Sequence, residues 1–257
     1  MDSGPRPSAR RKRPGALSLL RPREHGFLTL TLAVTLAGVV FAPHRGLAFY
    51  LAVMLALLGL PLREALRGRV LRRLSGRYLA VVALPVAGVV AALLWIHRAA
   101  GYPLGVLAGI MALDLLAVRY RWYRRLALEL AETTGLVVLL WLLLHAGGAA
   151  PGQVVHLAWG FGVFLELAVI LARALRVQRE TLAFHLLWLV VWGLSGLLSF
   201  WWMPWQAAGF LVLWTLQMGA LACVAFRGQT GPRAFRRLGW FLTVETVLFV
   251  LLWAWFV

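Results

Sequence analysis

Four carboxylates lie inside long apolar stretches of this chain: Asp114, Glu132, Glu166 and Glu245. A charged group at that depth in a bilayer is costly, faces the bundle interior or a water-filled cavity, and marks function by default. Glu24 and His25 stand just ahead of the first apolar stretch, and Arg176 and Arg236 close to the ends of later ones. These eight are the candidate substrate-binding residues, and two accounts of them stay open. In one, each acid pairs with a nearby arginine, Asp114 with Arg119 and Glu132 with Arg124 or Arg125, and only trims a positive edge. In the other, the acids line a polar cavity with Arg173, Arg176, Arg236 and Arg237 at its mouth. Such a cavity can hold a cation, a metal–phosphate group or a polar substrate. Thr133 and Thr134 follow Glu132 and are placed to satisfy its oxygens. For Glu24 and His25, capping the first helix is at least as good an account, because a carboxylate favours the positive end of the helix dipole.

Other chemistry finds little support. The six histidines include no i, i+4 pair on one helix, so neither a zinc motif nor bis-histidine haem ligation is indicated. Cys223 is the only cysteine, which excludes an intrachain disulfide and a cysteine-based metal site. No metal and no cofactor is expected, and no residue is singled out as catalytic.

The elements that must position these groups are apolar helices. The chain has 257 residues, of which 62% are hydrophobic and only 14% charged. Soluble domains carry about 25% charged residues, so lipid is the natural solvent here. Nine runs are long enough, or nearly so, to cross a bilayer: 26–42, 46–62, 78–96, 102–118, 128–147, 153–172, 182–202, 205–226 and 239–257. The fold class is therefore an all-α polytopic transmembrane helical bundle of about nine spans, residues 26–257. It is preceded by a disordered basic tail, residues 1–25, rich in Pro and Arg. Very short connections at 43–45 and 97–101 predict antiparallel hairpins.

The 26 Lys and Arg residues sort themselves between these runs. Alternate gaps hold 24 on one side and 2 on the other. Cytoplasmic loops keep the positive charge, so the N-terminus is expected inside and the C-terminus outside. With that threading, every acid of the membrane region falls in the cytoplasmic half. The net charge of +17 is then explained by loop bias and not by nucleic acid, for which no basic–aromatic motif exists. The expected partner is the lipid bilayer, with anionic head groups a further candidate. Protein partners stay unnamed.

The stretch Leu20-Arg-Pro-Arg-Glu24-His25-Gly26 resembles the opening of the YwiC-like family of bacterial membrane proteins, which begin with a basic-Pro-x-x-His-Gly segment. Arg121 to Thr134, and Pro232 to Gly239 followed by Glu245, are similar to that family as well. Phe27-Leu28 stands where the family usually has Ala-Trp. The resemblance implies a multi-pass protein of the bacterial cytoplasmic (inner) membrane, without an activity to carry over. In architecture the chain is also similar to the UbiA-type intramembrane prenyltransferases, with nine helices and a cavity toward the cytoplasm. The two Asp-rich motifs that hold magnesium and diphosphate in that family are missing. The segment after the second run, Arg63 to Arg73, reads as a loop with a single acid, Glu64, among basics.

Three roles follow as expectations. The first is a non-catalytic accessory or binding protein with a cytoplasm-facing polar cavity. The alternatives are a small-solute or proton-coupled transporter and a degenerate UbiA-like enzyme of lipids or isoprenoids.

Overall fold

A computed structural model of the chain describes residues 25–71, 75–120 and 126–176, with a few isolated positions between 194 and 251. Among the described residues all regular structure is helical. Six α-helices follow one another: α1 His25–Phe41, α2 Leu47–Val70, α3 Gly76–Ile96, α4 Gly101–Arg119, α5 Leu126–Ala146 and α6 Pro151–Arg176, with a single 3-10 turn, Arg98–Ala100, between α3 and α4. Among the described residues, four segments are long and apolar enough to cross a membrane: Leu47–Val70, Gly76–Ile96, Arg98–Arg119 and Leu128–Ala146. Apart from those isolated positions, the predicted runs from 182 onward lie outside the described residues, as does the tail through Glu24.

The first six runs match the six helices closely, but α2 continues eight residues past its expected end at 62. Hydropathy stops at the first charges, whereas helix propensity does not. Arg, Glu, Ala and Leu, which fill Arg63 to Arg67, are all good helix formers. The segment from Arg63 to Val70 is therefore helix and not loop. Both Pro61 in α2 and Pro85 in α3 sit inside their helices without ending them.

At the other end of the bundle, α5 stops in a Schellman motif. Gly148 takes a φ of +72°. Its N–H donates to the His145 carbonyl, and the Ala149 N–H donates to the Leu144 carbonyl. This 5→2 and 6→1 pair satisfies the last carbonyls of the helix. At the start of α3, the Ser75 hydroxyl accepts from the Tyr78 N–H at 3.4 Å and caps the helix.

Among the described helices α5 is central. It packs against α1, α2, α4 and α6, and Leu140, Leu142, Leu143 and Leu144 are fully buried. α3 instead packs on α2 and presents Val81, Leu84 and Trp95 outward. α3 and α4 are neighbours in sequence, yet they make almost no contact with each other. Each leans on another helix, α3 on α2 and α4 on α5, and among the described residues a gap is left between them.

Candidate functional site

Two arginines on α2 meet one acid from α4 and one from α5. Arg63 and Arg67 are four residues apart and so share a face of α2. The Arg63 Nε donates to Asp114 Oδ2 at 3.2 Å, and its Nη2 lies 2.6 Å from Glu132 Oε2. The Arg67 Nε donates to the same Asp114 Oδ2 at 2.8 Å. Its Nη2 bridges both acids, reaching Asp114 Oδ1 and, at 2.7 Å, Glu132 Oε1. Asp114 is buried at 2% exposure and Arg63 at 7%. Two guanidinium groups and two carboxylates sum to zero formal charge. Burying charge is tolerable when each ion is paired and hydrogen-bonded, and this quartet meets that condition.

The partners differ from those expected. Asp114 pairs across the bundle with α2, not with Arg119 on its own helix. Five residues of helix turn Arg119 to another face, where its guanidinium lies 5.9 Å from the Tyr120 ring centroid. Glu132 likewise pairs with α2; Arg124 and Arg125 lie outside the described residues. The threonines do not serve Glu132. Thr133 bonds back to the Glu129 and Leu130 carbonyls. The Thr134 hydroxyl is 2.9 Å from the Leu130 carbonyl and 3.0 Å from Glu166 Oε1 on α6.

Glu166 is thus a separate contact between α5 and α6. Its Oε2 is buried and has no hydrogen-bond partner among the described residues. His25 begins α1 and Arg176 ends α6, so each stands at a helix terminus. Glu24, Glu245 and Arg236 lie outside the described residues. The residues missed in the sequence were Arg63 and Arg67. Their i, i+4 spacing among helix formers was the signal, and assigning the segment to a loop hid it.

A cavity of about 260 Å³ adjoins the quartet. Arg63, Asp114 and Glu132 stand on its wall together with Thr31 of α1; among the described residues the rest of the lining is apolar, from α2, α3, α4 and α5. Among the described residues, no three His, Cys, Asp or Glu side chains gather closely enough to hold a metal ion.

At the opposite end of α5, the rings of His97 and His145 lie 4.7 Å apart, centroid to centroid. His97 sits in the turn after α3. Burial, and secondarily the charge of His145, hold its pKa below the ordinary 6.5.

Comparison of the chain with known protein families, curated proteins and solved structures finds no match.

Proposed function

We propose that this chain is a multi-pass protein of the bacterial inner membrane with a binding or accessory role rather than a catalytic one. Its basic loops face the cytoplasm, and the quartet lies near that surface. The observation that carries this reading is the balanced quartet at the end of an apolar cavity. Both carboxylates are held by guanidinium groups. That suits them to fix α2, α4 and α5 around a cavity more than to shuttle protons or hold magnesium. The likeness of residues 20–26 to the YwiC-like family is offered as kinship on the same terms, and it brings no activity.

The test uses a strain lacking the protein. Its lipid and metabolite profile is compared with strains carrying wild type or the pair Arg63→Gln with Asp114→Asn, which removes one ion pair and keeps the quartet neutral. If the quartet is structural, any such variant that still folds restores the wild-type profile. A folded variant that leaves the deletion profile in place assigns chemistry to the quartet and overturns the reading.

One observation favours transport as a second reading. The buried Glu166 oxygen without a hydrogen-bond partner among the described residues is the kind of group a proton relay uses. Proton flux into liposomes that is unchanged by Glu166→Gln removes that support.

A further inference from the structure

At the end of the bundle opposite the quartet, connections from two hairpins meet the last turn of α5. The His44 N–H, between α1 and α2, donates to the Gly147 carbonyl at 2.9 Å. The turn Arg98–Ala100, between α3 and α4, packs on α5 itself. His97 stands at the head of that turn and His145 on the last turn of α5, both half-buried. Their rings lie 4.7 Å apart, with 57° between the ring planes. The His97 backbone is fixed on both sides. Its N–H donates to the Leu93 carbonyl at 2.7 Å, and its carbonyl accepts from the Ala100 N–H at 2.9 Å. Leu93, Ala100 and Leu144, next to these contacts, are fully buried, so the two rings are held on rigid elements. His97 Nε2 is buried and has no hydrogen-bond partner among the described residues. A buried polar atom in that state calls for a water or an ion.

We propose that His97 and His145 together bind one late first-row divalent metal ion, copper before nickel or zinc. Imidazole suits these ions, and copper is the tightest binder in the divalent series. An ion about 2.0–2.1 Å from a ring nitrogen stands roughly 3.2 Å from the ring centroid. Two centroids 4.7 Å apart then subtend about 95° at a shared ion, the cis angle of the tetragonal sites that copper prefers. Each imidazole offers two nitrogens, and its broad, two-fold terminal torsion selects which one faces the neighbouring ring. Burial and the charge of His145 hold the His97 pKa below 6.5. Near neutral pH that ring is therefore uncharged, the form that ligates a metal. Water completes the coordination. The two ligands come from different elements, so a search for paired histidines along one helix does not find them. The site shares no residue with the quartet or its cavity, and it stands or falls independently of the binding role proposed above.

The full chain, purified with an affinity tag that contains no histidine, is titrated with copper(II) in phosphatidylcholine nanodiscs and followed by electron paramagnetic resonance. A saturable signal split by two imidazole nitrogens is expected. His97→Gln and His145→Gln should each abolish that splitting, and His156→Gln on α6 should leave it unchanged. In the wild type, ascorbate added to the copper-loaded protein should oxidise His97 and His145 and spare His156, mapped by peptide mass spectrometry. That measurement decides the matter if either substituted chain does not fold. A wild type without the two-nitrogen signal overturns the site. So does a signal that survives loss of either ring, or oxidation spread evenly over the histidines.

Discussion

Asp114 accepts from both arginines of α2, so its replacement has a defined consequence. Asp114→Asn leaves a buried excess of one positive charge. Breaking a buried pair from one side costs about 3–5 kcal/mol, and a loss of about 3 kcal/mol is expected in denaturant-titrated unfolding in detergent. Adding Arg67→Gln restores neutrality and should recover about 1–2 kcal/mol, the coupling expected between residues in contact. A strictly additive double variant refutes the account of the quartet as one electrostatic unit. His97 gives a second test. Its pKa is held below 6.5 by burial and by His145, so the folded state binds fewer protons than the unfolded one. Stability is then complete above about pH 6.5 and falls as pH drops below it. Unfolding temperatures at pH 5.5 and 7.5 should differ in that sense, and less so in His97→Gln. Neither the quartet nor this histidine contact was visible as a pair in the sequence. Asp114 and Glu132 stood out alone, as charges in apolar surroundings, while Arg63 and Arg67 were hidden in a segment read as a loop.

At the level of helices, close packing of α1 on α5 depends on two glycines. A Cβ on Gly38 would come 2.8 Å from Leu143 Cβ, and one on Gly147 would come 2.5 Å from Ala42 Cβ. Small residues permit such approach where no hydrophobic effect draws helices together. Ala42 and the nearby Leu143 carbonyl cannot swing away as a long side chain could. Gly147→Ala should therefore destabilise by about 1–3 kcal/mol, as overpacking does. Gly88 on α3 has open space around it, and Gly88→Ala should be neutral or slightly stabilising. Thermal unfolding of the two variants side by side checks this. The positions of the first six helices were legible to within a few residues, the end of α2 apart, because apolar runs and their breaks are local features. The course of α2 past Pro61 was not, because its last two turns are charged and still helical. Nor was the separation of α3 from α4 legible. A short connection brings two ends together and says nothing about where the rest of each helix leans.

On the scale of the whole molecule, threading through the bilayer is the main expectation, and it rests on the imbalance of 24 to 2 basic residues between alternate gaps. In a background with Cys223→Ser, Leu71→Cys at the end of α2 should resist a membrane-impermeant maleimide in intact cells. Ala99→Cys in the turn between α3 and α4 should react. The reverse pattern inverts the assigned orientation and places the quartet at the outer surface. The amino-acid order by itself determined that the described part of the chain is a set of apolar helices and where those six run. Those properties sum over neighbours in sequence, and each residue contributes whatever its distant partners do. Only the tertiary structure decided that Arg63 and Arg67 meet Asp114 and Glu132, that α5 is central among the described helices, and that a cavity lies where α3 and α4 part. Those outcomes depend on how each helix is rotated and tilted against the others. That rotation and tilt is fixed by packing between residues far apart along the chain, and hydropathy carries no record of it.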